Sequence, residues 1–278
     1  MRRLGTNRLL LFLLAATLVF GLSNCKDDSD LGEPNREYEL VWSDEFNGDS
    51  GSLVDPTKWT YDLGKGINGW GNGELQSYTK SAENVSQDGN GNLIISALKN
   101  SNGTYTSGRI KTQGIFTQEH GRIEARIMTP AGQGVWPAFW LLGENINQVG
   151  WPQCGEIDVM EQQGQKPFIT HGSLHGPGYS AGNALTADYR LETDRFDDQF
   201  YVYAVEWGAD YIDFFLNDIK YNTITPAQAP GEWVFNQEFF ILLNVAVGGS
   251  FVGLPNDNTP FPASMYIDYV RVYKEKQN

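Results

Sequence analysis

The sequence predicts an all-β protein, a sandwich or jelly roll, on three observations. Segments of strand length and composition recur from residue 38 almost to the C-terminus. After the N-terminal leader, no segment longer than about ten residues shows a 3.6-residue apolar period. Thirty-one glycines and twelve prolines punctuate the strands, as closely spaced turns require.

The leader comes first and lies apart from the fold. Arg2, Arg3 and Arg8 form a positive start, 9–22 is almost wholly apolar, and Leu22-Ser23-Asn24-Cys25 closes the stretch with small residues ahead of a cysteine. This is the layout of a secretory signal, too short at its apolar centre for a comfortable membrane span. The cysteine at the cleavage point resembles a bacterial lipobox. Residues 1–24 are then expected to be a lipoprotein signal peptide and Cys25 the lipidated first residue, anchoring the protein to a membrane through lipid alone. An ordinary signal peptide with an incidental cysteine is the plainer reading. Residues 25–37, polar and rich in Asp, Glu, Gly and Pro, read as a flexible tether, and 38–278 as one domain. Lys26-Asp-Asp-Ser-Asp30 resembles the acidic tag of surface lipoproteins, which points to the outer membrane and cell surface of a Gram-negative bacterium.

Removing the leader takes away three arginines and no acids, leaving 17 basic against 34 acidic residues and a net charge of −17. Such a surface repels phosphate backbones and excludes nucleic acid as a partner. A neutral polymer feels no such field. With Cys25 carrying lipid, Cys154 has no partner, so no intrachain disulfide is expected. The protein is expected to act as a monomer.

Strand signals follow at 38–46, 92–98, 121–128, 200–207, 211–216, 239–247 and 265–273, with a further one at 168–175. In 121–128, Ile123, Ala125 and Ile127 alternate with Arg122, Glu124 and Arg126, the period-2 pattern of a half-buried antiparallel strand. The segment 265–273 is expected to alternate in the same way.

One acidic segment carries chemistry. In Gly155-Glu-Ile-Asp-Val-Met-Glu161, a strand would place Glu156 and Asp158 on one face, with Ile157 and Val159 on the other. Strict alternation would turn Glu161 away. One extra residue, a β-bulge near Val159-Met160, restores it to the face of Glu156. Glycoside hydrolysis with retention needs a pair of carboxyl groups roughly 5 to 5.5 Å apart, one to attack and one to protonate. Glutamates about 13 Å apart along the strand could reach that separation by leaning together. Three acids on one face also raise at least one pKa, as a general acid requires. A solvated acidic strand is the plain alternative, but Trp136, Trp140 and Trp151 precede the acids closely, and tryptophans with carboxylates are the composition of a sugar-binding cleft.

Glu-Ile-Asp-Val-Met-Glu resembles the Glu-x-Asp-x-x-Glu signature of family 16 glycoside hydrolases, in the laminarinase-like branch with the extra bulge residue. Val41-Trp-Ser-Asp-Glu-Phe46, Trp70-Gly-Asn-Gly-Glu-Leu-Gln76, Ser107-Gly-Arg-Ile-Lys-Thr112, Gly134-Val-Trp-Pro-Ala-Phe-Trp140, His175-Gly-Pro-Gly-Tyr179, Leu243-Asn-Val-Ala-Val-Gly-Gly249 and Tyr266-Ile-Asp-Tyr-Val-Arg-Val-Tyr273 are similar to that family's segments, in its order. The resemblance covers about residues 38–274. It implies a jelly roll of two curved antiparallel sheets with a concave substrate cleft. It also implies Glu156 as nucleophile, Glu161 as acid/base and Asp158 as the residue tuning their protonation.

The same resemblance places Asn72, Arg109, Trp136, Trp140, Trp151, His175 and Asn244 at the cleft as substrate-binding residues. Indole rings suit pyranose faces, and the polar side chains suit hydroxyls. Each could instead be a core, turn or edge residue. Trp42, Trp59, Trp207 and Trp233 are left to the core, Trp70 is undecided, and His120 reads as a loop residue. His171 could share the face of His175. No zinc spacing is present, and catalysis is expected to need no cofactor. The family resemblance does imply a structural Ca²⁺ away from the cleft, held by Glu45, the Gly91 carbonyl and Asp268, although these acids could equally be ordinary surface groups.

The expected activity is endo-hydrolysis of β-1,3 bonds in laminarin-like β-glucan polysaccharides. Mixed-linkage β-1,3/1,4-glucan is the near alternative, and agarose a more distant one. A non-catalytic, glycan-binding surface lipoprotein would keep the tryptophans, with no reason to keep three acids at bulge spacing.

Overall fold

The computed structural model describes residues 36–276; the leader, Cys25 and the tether as far as residue 35 lie outside the described residues. The first strands are β1 (Tyr38–Asp44), β2 (Thr60–Tyr61), β3 (Gln76–Tyr78), β4 (Val85–Gln87), β5 (Leu93–Lys99), β6 (Tyr105–Ser107) and β7 (Arg109–Lys111). The middle of the chain forms β8 (Gly121–Met128), β9 (Val135–Gly143), β10 (Glu156–Glu161), β11 (Ile169–His175) and β12 (Leu185–Arg190). Then come β13 (Tyr201–Gly208), β14 (Tyr211–Leu216), β15 (Ile219–Ile224), β16 (Phe239–Val247) and β17 (Ala263–Glu275). Among the described residues no helical piece exceeds five residues.

These strands build two sheets, one in the order β12-β11-β10-β9-β16-β7-β2 and the other β15-β14-β13-β8-β17-β5-β6-β3, with β1 joined to β17 and β4 to β5. Pairing is antiparallel along both main paths, as at β9–β16 and β8–β17, and parallel in the three-residue β3–β6 contact. The inward faces of the two sheets close on one apolar layer, giving the expected jelly-roll sandwich.

Alternation decides which side chains enter that layer. In β8, Ile123, Ala125 and Ile127 are fully buried, while Arg122 pairs outside with Glu124 and Glu206 at 2.8 and 3.0 Å. β17 departs from the clean alternation expected of it. Its register against β8 shifts between Ile267 and Tyr269. The extra residue turns Val270 and Val272 into the core instead of Tyr269 and Arg271. Trp59 and Trp207 are each 1 % exposed and belong to the core, whereas Trp42 and Trp233 are partly buried and pack against its edge.

The seven-stranded sheet positions the site. Phe239, Ile241, Leu243, Val245 and Val247 of β16 face the main core, and Phe240 and Leu242 face the other way with Leu142 and Cys154 in a smaller cluster. β9 runs through Pro137 without a break, so Trp136 and Trp140 share the outward face while Val135, Phe139 and Leu141 face in. Cys154 is free and buried. The packing begins ahead of β1, where the Arg36 guanidinium lies 4.1 Å from the centre of the Tyr211 ring and pairs with Glu206 and Asp213.

Candidate active site

The bulge falls where the spacing of the acids requires it. Against β9, Glu156 opposes Leu142 and Asp158 opposes Trp140; the register then shifts, so that Met160 opposes Phe139 and Glu161 opposes Ala138. Both Val159 and Met160 enter the core. Glu156, Asp158 and Glu161 therefore emerge on one face, with the outer two opposite residues four apart on β9. Against β11 the same three face His175, Ser173 and His171. Gly155 is needed to launch the strand: its φ is +75°, and a Cβ there would lie 2.9 Å from the Phe239 ring.

The three carboxyls form one electrostatic unit. Burial pushes each up to about 8. The charge of Asp158 adds to this at Glu156 and Glu161, and His175 opposes it at both. Three acids this close titrate together, and protons stay on the cluster through neutral pH. The main-chain N–H of Ala181 donates to His175 Nδ1 at 3.0 Å. In its neutral form the ring then carries its proton on Nε2, which lies 3.0 Å from Asp158 Oδ2 and 3.6 Å from Glu156 Oε1. Each glutamate also holds an indole: Trp151 Nε1 donates to Glu156 Oε2 at 3.0 Å, and Trp136 Nε1 to Glu161 Oε1 at 2.8 Å.

The other residues expected at the cleft lie on neighbouring strands and in the turn before β3. Asn244 lies level with Ala138 on one side and Arg109 on the other. Its Oδ1 accepts from Trp140 Nε1 at 2.8 Å, so this amide oxygen is already engaged by protein. Arg109 is sandwiched between Trp70 and Trp140, with its guanidinium carbon 4.6 and 4.7 Å from their ring centres. Asp62 fixes it from behind at 2.8 Å and is itself paired with Lys111 at 2.6 Å. Asn72 is exposed in the turn Gly69–Gly73; its Nδ2 donates to Glu74 and its carbonyl accepts from Ser250 N at 2.9 Å. A Cβ on Gly249 would touch both that carbonyl and the Trp136 ring, which brings the turn to the Glu161 side of the sheet.

The profile of the family described as "Glycosyl hydrolases family 16" matches residues 72–271. The chain belongs to glycoside hydrolase family 16. It is similar to a β-glucanase of Rhodothermus marinus, with 40 % identity over 88 % of each chain. The laminarinase catalytic domain of Thermotoga maritima superposes with a TM-score of 0.81 at 43 % identity, over 87 % of this chain and all of that one. An endo-β-1,3-glucanase of Pyrococcus furiosus gives 0.82 at 43 % identity, over 88 % and 97 %.

Three features of this family 16 site were not predicted from sequence. Trp70, left undecided, forms one wall of the Arg109 sandwich from a backbone at φ +55°. Glu74 gathers Asn72, Gln76 and Tyr78, and its charge reaches Glu161. Phe251, from the loop after β16, packs on Trp136 and on His171 with ring centres 5.1 and 5.4 Å apart. The segments around Trp70 and Glu74 stood among those resembling the family; nothing local marked Phe251.

Glu156, Asp158 and His175 present ligand atoms within 4.8 Å of one another, a partly buried group that could coordinate a metal ion. The positions expected to hold calcium lie elsewhere and share one neighbourhood. β1 pairs with β17, with Asp44 opposite Val270, and a Cβ on Gly91 would lie 3.8 Å from Asn47 Oδ1. Their donor set suits a hard cation, but both carboxylates have partners. Arg271 donates to the two Glu45 oxygens at 2.9 and 2.8 Å, and Arg126 pairs with Asp268. A cation there draws a carboxylate away from an arginine or relies on main-chain oxygens.

Proposed function

We propose that this family 16 enzyme is an endo-acting β-glucan hydrolase that cleaves β-1,3-glucosidic bonds of laminarin-like polysaccharides with retention of configuration. The observation that carries the reading is the bulged β10, which puts Glu156 and Glu161 on one face with Asp158 between them. Glu156 attacks the anomeric carbon while Glu161 protonates the departing glycosidic oxygen, leaving the sugar esterified to Glu156. Water, deprotonated by Glu161, then attacks that ester and frees the nucleophile. Asp158, buried between the two glutamates, makes full ionisation of the cluster costly. A proton kept on the cluster serves the acid role proposed for Glu161 while Glu156 attacks as the carboxylate.

Trp136, Trp140 and Trp151 offer ring faces to the glucose units, and Asn72, Arg109, His175 and Asn244 line the path. Similarity to enzymes named laminarinase and endo-β-1,3-glucanase supports β-1,3 linkages as substrate. Product analysis on laminarin, barley-type mixed-linkage glucan and agarose tests the reading. Laminarin turned over fastest, to a ladder of oligosaccharides, supports it; faster cleavage of either other polymer refutes it.

The proposal extends to placement. The protein is exported, lipidated at Cys25 and held as a monomer at the outer-membrane surface by residues 25–37. Cys25→Ser should move it from the membrane fraction to the medium. A structural Ca²⁺ at Glu45, Gly91 and Asp268 completes the proposal.

A further inference from the structure

The geometry points to a division of labour between two tryptophans: Trp151 positions the nucleophile Glu156, and Trp136 positions the acid/base Glu161, each through its indole N–H. This inference rests on the retaining mechanism proposed above and assigns the indoles a role in it beyond stacking on sugar. An indole has one donor and no acceptor. In both residues that donor is committed to a catalytic carboxylate, at 3.0 Å for Trp151 and 2.8 Å for Trp136, so only the ring face is left for the glucan.

The two bonds are built independently. Trp151 comes from the excursion between β9 and β10, close to His175 at 5.9 Å between ring centres. Trp136 comes from β9 itself, in the register step beside Ala138, and is braced by Phe251. Each N–H engages one oxygen of its carboxylate. On Glu156 the other oxygen faces His175 Nε2 at 3.6 Å. A carboxylate gripped at one oxygen keeps its rotamer and presents the other to the reacting atoms, and a hydrogen bond to a charged group is among the stronger kinds. The charged and titratable neighbours are Asp158, His175, Glu161 and Cys154 around Glu156. Around Glu161 they are Asp158, His175, Glu74 and the cross-strand His171.

Phenylalanine keeps a ring in place and removes the donor, so Trp151→Phe and Trp136→Phe test the roles separately. Two substrates distinguish them: laminarin, whose leaving alcohol needs the acid, and a dinitrophenyl laminaribioside, whose phenolate does not. Trp151→Phe should lower kcat by about 10- to 100-fold on both, because both need the nucleophile. Trp136→Phe should lose about the same on laminarin and at least about ten-fold less in the cleavage of the activated glycoside.

Azide supplies the second readout. It attacks C1 of the glycosyl-enzyme without a base, forming the C1–N bond as the C1–O bond to Glu156 breaks and the carboxylate departs. Added azide should therefore raise turnover of the activated substrate by Trp136→Phe, with glycosyl azide as product, and leave Trp151→Phe unchanged. A double-mutant cycle guards against misfolding: Trp136→Phe should cost nothing further in a Glu161→Gln background. Equal losses by both variants on both substrates, a loss confined to KM, or full additivity with Glu161→Gln would overturn the inference. Glu156→Gln on the activated substrate tests the underlying mechanism separately, since its failure to abolish turnover sinks that reading whatever the indoles do.

Discussion

Asp158→Asn is expected to make the protein more stable at neutral pH while impairing it as an enzyme. Asp158 is 2 % exposed and lies between two other acids on the same strand face, so burial raises its carboxyl from 3.8 to about 8. A carboxyl with a folded pKa above its unfolded value holds a proton that the unfolded chain has already lost. Unfolding releases that proton, and stability falls as pH rises through the window from about 4 to about 8. One proton retained over the two pH units from 5 to 7 is on the order of 3 kcal/mol, or several degrees in a domain of this size. Replacing the acid with its neutral isostere removes that proton and, above about pH 8, the charge that would repel Glu156 and Glu161. The Tm of the variant should then fall less than that of wild type between pH 5 and pH 7, by about that margin, and exceed it at pH 8. Thermal unfolding followed by circular dichroism at four pH values is sufficient. Superimposable Tm–pH curves would mean that Asp158 is an ordinary ionised carboxylate and would refute the account of the cluster.

Other outcomes follow from single contacts. Arg109→Ala removes a guanidinium stacked between Trp70 and Trp140 and leaves Asp62 with Lys111 alone; two cation–π contacts and a largely buried ion pair amount to about 2–4 kcal/mol in chemical denaturation, with a raised KM for laminarin. Arg109→Lys should recover little, because an ammonium cannot lie flat between two rings. Gly143→Ala would drive a methyl to 1.9 Å from the Cys154 carbonyl oxygen. It should destabilise the fold by about 3 kcal/mol and lower kcat by displacing the excursion that carries Trp151. Chelation should lower the Tm of the wild type but not of Asp268→Ala; an unchanged wild-type Tm would count against calcium at Glu45, Gly91 and Asp268.

Much of the site could be read locally. The alternation in 121–128 announced a half-buried strand, and the spacing of two and then three in Glu156, Asp158 and Glu161 demanded a bulge, which the β9 register supplies. Where alternation was assumed, it misled. β17 carries its own bulge at Asp268, so Tyr269 and Arg271 face away from the core that strict period two would have given them. Contacts made across the sheet were illegible. Which ring flanks Arg109, and that Asn244 would satisfy Trp140, depend on β7, β16 and β9 lying side by side in one register. The indole bonds to Glu156 and Glu161 were missed for a related reason: a tryptophan near acids looks like a sugar platform until its single donor is seen to be occupied. Short strands such as β2, β3 and β6 have too few residues to show a period at all.

If Glu156 and Glu161 act as nucleophile and acid/base in a double displacement, hydrolysis retains the anomeric configuration. Proton NMR of the first product released from laminarin tests it most directly. The β anomer should appear first at the new reducing end, with the α anomer growing in later by mutarotation. An α anomer released first would mean single displacement by water, and the roles given to Glu156 and Glu161 would be contradicted.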